Sequence, residues 1–439
     1  MDYKLKEVYA VLEIKEYSFS FMVGIYSNSN IKVLYKKHLE YRFCENGKIM
    51  DEKNMAKELS IVIKDANRQL GLDLQRVAVS IPSHNLKIKT STKMLNLTTN
   101  RLITKNDIDA LIGLAKEVPL LDDETTFFIR PYRYILNEQK AVMAPPIDFP
   151  AHKVSIKAIV YVTKKQIIQG IFNVLKYAKV EVMGILPESF SLAWNIASPL
   201  DLQNGITIVD WDYDSIKAHI FVRETLCEQI IIPGGIKKII MRLRQVMNCD
   251  YKQASKYLYK IINLNNKSKD NLVIYSKYLP EQQTQLNFTH HDLTIIVNRV
   301  LEEEIEHLNQ KLATTLKKYD YPLVVVGDIL KISGFKEQLL VMNKNYNLSV
   351  YLPETIGARE AWCTGLLGNI YYQHLANKVS GTSLQAVDQR FVTYLAPTAK
   401  QPEVGQNATA NQGTYLRPLP VNQFGEQGQY QQNLYQNLK

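Results

Sequence analysis

The sequence predicts an α/β chain of two related halves, each built on a mixed sheet, with a small α+β insertion in the first half and an unfolded C-terminal tail. Three observations carry this expectation. Strand and helix patterns alternate along the chain. A strand-turn-strand-turn-strand unit at the start recurs at Ile206, in pattern although not in residue identity. Beyond about Ser380 the composition turns to Gln, Asn, Gly and Pro with few charges, as in unfolded segments. The 439 residues allow two to four globular units at roughly 100 to 200 residues each, and 46% hydrophobic residues exclude wholesale disorder.

The elements follow in order. Residues 6–14, 18–26 and 31–41 read as strands, the first two joined by Lys15, Glu16 and Tyr17. A helix over 51–70 is predicted from Met55, Leu59, Val62, Ile63 and Ala66 on one face, with Asp51 as its N-cap, and RVAVSIPS is the next strand. From 84 to 158 come a polar stretch, a short helix opened by Thr104 and Asp107, the strand FFIRPYRYIL, the loop MAPPIDFP and the strand KVSIKAIVYVT, which together make the insertion. A helix over 164–178, the strand VEVMGIL and a helix over 188–197 close the first half. The second half repeats the three strands within GITIVDWDYDSIKAHIFVRETLCEQIIIP and continues with a basic helical stretch and a polar link over 263–270. A long helix over 293–316, the buried strand YPLVVVGD, the strand NLSVYLP and a final helix in REAWCTGLLGNIYYQHLA complete it.

Composition narrows the function. No run approaches the roughly 18 apolar residues of a spanning helix, and the start, MDYKLKEVYAVLEI, passes into a strand pattern without a signal peptide's apolar stretch, so a cytosolic protein is expected. Cys44, Cys227, Cys249 and Cys363 form no C-x-x-C pair and read as small buried hydrophobes, which excludes a disulfide framework and a zinc cluster. The histidines show no ligand spacing, and His290-His291 reads as a solvated turn before a helix. The 53 Lys plus Arg against 43 Asp plus Glu give +10. Much of this lies between 237 and 270, where Lys237, Lys238, Arg242, Arg244, Lys252, Lys256, Lys260, Lys267 and Lys269 face only Asp250 and Asp270. With Ile236, Ile239, Ile240, Leu243 and Val246 at helical spacing, the stretch is either a solvated helix face or a docking face for an acidic ligand. No nucleic-acid module accompanies it, so no nucleic-acid partner is expected.

The order and spacing of these elements over about 6–375 resemble the actin-like ATPase superfamily, whose two-domain, ribonuclease-H-like fold holds ATP between its halves. Within it the chain resembles the bacterial cell-division family FtsA, with the pilus-assembly family PilM second. NGKIMDEKNMAKELSIVIKDANRQLG, ITKNDIDALI, KVSIKAIVYVTKKQIIQGIFNVLKYAKVEVMGILPESFSLAW, IIIPGGIKKI, RVLEEEIEHL and IGAREAWCTGLLG are similar to successive FtsA segments. The resemblance implies domain one at 1–83 and 161–204 around an FtsA-type inserted subdomain at 84–160. It implies a second-domain core at 205–235 and 291–354, its outer subdomain at 236–290, a return helix at 355–379 and the tail at 380–439.

The resemblance also implies a nucleotide site, and there the residues depart from the family. A turn like Asp-Ile-Gly-Thr is expected first and is Glu13-Ile14-Lys15-Glu16; a turn like Asp-Ile-Gly-Gly-Gly-Thr is expected second and is Asp210-Trp211-Asp212-Tyr213-Asp214-Ser215. Glycines let backbone amides approach phosphate, and none remains in either turn. Asp212 and Asp214 add like charges where phosphates belong. Gly234 and Gly235 of the Pro-x-Gly-Gly segment are retained; of the triple-Gly, adenosine-cradling third turn only Gly327 remains, in Val326-Gly327-Asp328-Ile329, with Gly334 downstream. Glu13, Lys15, Asp210, Asp212, Gly234, Gly235, Gly327 and Gly334 are thus the candidate nucleotide residues, with ATP and Mg²⁺ bound weakly or not at all, turnover not expected and no protein-bound metal site. The resemblance implies binding of the acidic, apolar C-terminal peptide of FtsZ through Lys237, Lys238, Arg242, Arg244, Lys252, Lys256 and Lys260. It further implies self-association into filaments and a place at the inner face of the cell membrane at the division site. Against membrane anchoring, the end of the chain offers Phe424, Tyr430, Leu434, Tyr435 and Leu438 with Lys439 as its one nearby cation, a marginal anchor at best. The alternatives are a PilM-like platform for an envelope or pilus assembly protein and, disfavoured by the lost glycines, a small-molecule kinase of the superfamily.

Overall fold

The computed structural model describes residues 7–27, 29–266, 272–316, 321–342, 347–380 and 382–388. Lys267 and Lys269, and the tail and its apolar residues beyond 388, lie outside the described residues. The described residues form two compact units: those up to Asn195 with Thr355–Gly357 and those from Gly365 on, and those of Ile196–Glu354 with Ala358–Thr364.

In the first unit, β1 (Val8–Lys15), β2 (Ser18–Ser27) and β3 (Asn30–Glu40) form an antiparallel meander. A short ladder, β4 (Cys44–Glu45) and β5 (Lys48–Ile49), leads to α1 (Glu52–Leu70). The Asp51 carboxylate accepts the Asn54 N–H and caps this helix, whose predicted apolar face is buried. Then β6 (Arg76–Ile81) runs parallel to β1.

The insertion follows as β7 (Lys87–Leu102), α2 (Lys105–Lys116), β8 (Glu124–Leu136), β9 (Lys140–Val142) and β10 (Pro150–Lys164), with sheet order β7-β10-β8-β9. Its own core joins Ile108, Leu111 and Ile112 of α2 to Tyr134, Val154 and Ile156 of the sheet. The stretch expected to be merely polar is the long edge strand β7. Only Ser91 and Leu97 along it are buried, so its sequence lacks the apolar alternation of a half-buried strand. The chain continues through α3 (Lys165–Tyr177), β11 (Glu181–Pro187) and α4 (Glu188–Ile196). The main sheet has the order β11-β6-β1-β2-β3, with β6 and β11 parallel to β1.

The second unit opens with α5 (Pro199–Asn204) and the antiparallel β12 (Ile206–Trp211), β13 (Ser215–Val222) and β14 (Thr225–Pro233). The basic stretch is two helices, not one: α6 (Gly235–Met247) ends at Asn248 in the left-handed conformation, and α7 (Tyr251–Lys260) starts anew with Asp250 as N-cap. A hairpin absent from the sequence reading, β15 (Val273–Leu279) with β16 (Thr284–Thr289), precedes α8 (His290–Leu316). His290 and His291 are the first residues of α8 instead of a turn, and the His290 ring accepts the Asn263 N–H. Next come β17 (Leu323–Val326), α9 (Phe335–Met342) and β18 (Leu348–Val350). The sheet order β14-β13-β12-β17-β18, with β17 parallel to β12 and β18 parallel to β17, repeats the first unit strand for strand. The duplication is therefore one of topology.

The chain then enters α10 (Thr364–Ser380), which lies in the first unit from Gly365. Residues 382–388, expected to belong to the unfolded tail, are instead packed: Ala386 donates to the Val8 carbonyl and accepts from Gln75 and Arg76, and Val387 pairs with Leu74. Gln385, Ala386 and Val387 are buried, an anchoring that the polar sequence around them conceals. Cys44 and Cys363 are buried as expected, whereas Cys249 is half-buried and Cys227 is exposed because it faces outward on β14.

Candidate functional site

In the first unit β1 carries Glu13 to its buried end, across from Ser20 on β2 and Ser80 on β6. Gly365 of α10 lies directly against the Glu13 carboxylate, where any side chain would collide. Lys15 closes the strand opposite Ser18. The turn after it is covered by its own chain: Tyr41 donates to the Tyr17 carbonyl (3.0 Å), Cys44 to the Glu16 carbonyl (3.4 Å) and Gly47 to the Glu16 carboxylate (3.0 Å).

The second unit places Asp210 at the corresponding strand position. On the paired β12 and β13, Val209, Trp211, Ile216 and Ala218 face one core, so Asp210, Asp212, Ser215 and Lys217 share the opposite face. Asp210 and Lys217 are register partners, and the Lys217 ammonium lies 3.7 Å from the Asp212 carboxylate with Lys217 itself 2% exposed. The repulsion expected from the added acids is thus offset by a lysine that the sequence reading passed over. Asp214 accepts the Ser215 hydroxyl (3.2 Å).

The turn's own groups are engaged. Asp212 N–H donates to the Ser215 carbonyl (3.0 Å), and Tyr213 N–H donates to the Asp212 carboxylate (2.9 Å). The first turn of α6, which in principle could hold an anion, donates instead to turn carbonyls, Ile236 to Asp212 (3.2 Å) and Lys237 to Tyr213 (2.7 Å). Gly235 and Gly327, at φ 62° and 104°, permit this closeness: a Cβ on either would stand 2.5 Å from the carbonyl oxygen of Asp212 or Trp211. In this turn, where the resemblance implies ATP with Mg²⁺, the Asp212 and Tyr213 amides, the first amides of α6 and the Asp212 carboxylate are engaged with one another.

Gly234 lies against the buried carboxyl of Glu304 on α8. Burial pushes this acid up to about 7, opposed by Lys238 and by the Gly235 and Trp211 N–H groups. Gly334 does not join the others around the acidic turn; it packs against Leu264 and Asn265.

A groove of about 870 Å³ runs between α6 and α8. Of the predicted partner residues, Lys238, Arg242 and Arg244 line it, together with Met241 and, from α8, Ile295, Ile296, Arg299, Val300 and Glu303. Met241 and Ile295 are exposed at 42% and 52%, giving apolar contact beside four cations, of which Lys238 is paired with Glu303 at 3.2 Å. Lys237 belongs to α6 but not to this lining, and Lys252, Lys256 and Lys260 lie on α7, outside it. The α8 wall was missed by sequence reasoning. Ile295 and Arg299, one helical turn apart and off the main apolar stripe, were the available signal.

The duplicated sheet order with an acid at the same strand end in each unit defines an actin-like ATPase fold. The chain shares that fold with a solved structure titled PilM-PilN type IV pilus biogenesis complex (TM-score 0.57, 11% identity, 83% of this chain and 98% of that one). It shares it also with MreB5 of Spiroplasma citri bound to ADP (TM-score 0.50, 10% identity, 85% and 98%). In sequence it is similar to the cell division protein FtsA of Buchnera aphidicola subsp. Baizongia pistaciae, 23% identical over 308 residues, 66% of this chain and 71% of that protein. No protein-family model matches the chain. It is an actin-like fold protein with FtsA as a relative in sequence and PilM as one in structure. Among the described residues no helix is long and apolar enough to cross a membrane.

Proposed function

We propose that the chain is an FtsA-like cell-division adaptor that binds the C-terminal peptide of FtsZ in the groove between α6 and α8 and works without turning over ATP. The groove carries this reading: exposed apolar side chains flanked by Arg242, Arg244 and Arg299 suit a peptide with acidic and apolar residues. The similarity to FtsA supports the choice of partner. Self-association into filaments, and a place on the inner face of the membrane at the division site reached through a partner or a weak tail contact, belong to the same proposal. In a fluorescence-anisotropy titration of labelled FtsZ C-terminal peptide, the full chain binds with an affinity that falls with salt. Arg242→Glu with Arg244→Glu weakens it by about tenfold or more. Unchanged affinity in that variant refutes the groove assignment.

The extent of the match to PilM favours a second reading, a platform for the cytosolic tail of an envelope assembly protein. Pull-down from the native cell with the wild-type and doubly reversed chains separates the two by which partner is lost.

A further inference from the structure

We propose that Lys217 is a built-in counter-cation that makes the acidic turn of the second unit self-sufficient, so that this turn holds its shape without nucleotide or metal. Two carboxylates, Asp210 and Asp212, and one ammonium, Lys217, share one face of the β12–β13 pair, at 1%, 8% and 2% exposure. Across an antiparallel pair, opposed residues have Cβ atoms about 4.5 to 5.5 Å apart, which places the lysine stem beside Asp210 while its ammonium reaches Asp212 at 3.7 Å. An ammonium withdrawn from water is tolerated only where carboxylates offset it, and the converse holds for the acids. A divalent cation brought to the same acids would meet the positive charge already there.

The duplication supplies an internal comparison. The residue opposite Glu13 in the first unit is Ser20, a neutral side chain that bonds His38 at 2.8 Å, so the lysine is a feature of the second unit alone. The backbone completes the closure. The Asp212 carboxylate takes the Tyr213 amide, and the turn carbonyls take the first amides of α6, leaving the turn satisfied by its own atoms. This inference is independent of what the groove binds.

The test is thermal unfolding of the full chain in MgCl₂, with and without ATP. Wild type is expected to be insensitive to both. Lys217→Met is expected to unfold at a lower temperature and to recover about 3 to 6 °C when Mg²⁺ reaches about ten times its dissociation constant, because the acids then accept an external cation. Lys217→Arg, which keeps the charge, is expected to stay insensitive. Stabilisation of wild type by Mg²⁺ with ATP overturns the proposal, and so does a destabilised Lys217→Met that ignores Mg²⁺. Should Lys217→Met not fold, the double variant Asp212→Asn with Lys217→Met decides: recovery of folded protein supports the pairing, and failure to recover overturns it.

Discussion

Gly368 sits inside α10, where alanine would normally help by about 1 kcal/mol through helix propensity. Here the opposite is expected. A Cβ at 368 would stand 2.9 Å from the carbonyl carbon of Ser191 and 3.1 Å from the Asn195 nitrogen, with the Ser191 oxygen closer still. These are backbone atoms of α4 and its end, which cannot swing aside, so α10 must retreat by roughly 1 Å or more. Such overpacking costs about 1 to 3 kcal/mol. The retreat also strains the buried chain in which Asn369 donates to Ser80 (3.0 Å), Ser80 meets Ser191 (2.7 Å) and Gln373 donates to Asn369 (3.1 Å), each bond worth about 1 kcal/mol. Summed against the propensity gain, Gly368→Ala is expected to destabilise the first unit by about 2 to 4 kcal/mol. Gly113 of α2 is the matched control, with nothing within 4 Å of its Cβ position, so Gly113→Ala is expected to be neutral or stabilising by up to about 1 kcal/mol. Scanning calorimetry with hydrogen exchange of α10 measures both. Equal stability of the two variants would refute the claim that α10 packs backbone to backbone on α4.

Three further outcomes are expected. Glu304 is buried with its carboxyl raised to about 7 from 4.5, so the folded state holds the extra proton; the associated stability is fully present below about pH 4.5 and is lost as pH rises through 7. Glu304→Gln is therefore more stable than wild type at pH 8 by up to about 3 kcal/mol, with the gap closing toward pH 5 in melting curves taken across that range. The Thr104 and Asp107 side chains form a reciprocal capping box on α2, and Asp107 also holds Arg101 through two bonds of 2.7 Å. Asp107→Ala is expected to cost about 1 to 2 kcal/mol by urea denaturation, with local loss of exchange protection in the insertion. Arg299→Glu, on the α8 wall of the groove, is expected to weaken FtsZ-peptide binding in the anisotropy assay without lowering the melting temperature, because the side chain lines an open surface.

The strands and helices that bury one clean face were legible in the sequence. The α1 helix, capped by Asp51, and the Thr104-Asp107 start of α2 follow directly from periodicity and capping chemistry. The duplicated opening was legible as pattern, but the strand order that proves it depends on pairings across 60 residues or more, such as Val11 with Ala78 and Val209 with Val325. What stayed hidden shares one physical cause, burial or exposure set by distant chain. The polar edge strand β7 has little to hide, and residues 382–388 look like tail until β1 and β6 receive them. Lys217 reads as an outward residue of an alternating strand until the acids opposite it show that this face is buried as well. The two candidate acids came from the resemblance of their turn to the glycine-bearing turn of the family. The cation between them needed the register.

The anchoring of residues 382–388 has a mechanical consequence. Any segment after Asp388 begins from a point tied to the carbonyl of Val8 and the amides of Gln75 and Arg76. Tension applied after Asp388 meets the Val387–Leu74 pairing and then these bonds, which load β1 and β6, the strands that carry Glu13 and Ser80. The 382–388 segment thus joins β1 and β6 to α10, whose Asn377 donates to the Leu384 carbonyl (2.8 Å) and accepts the Leu384 N–H (3.1 Å), so that strand, tether and helix share one load.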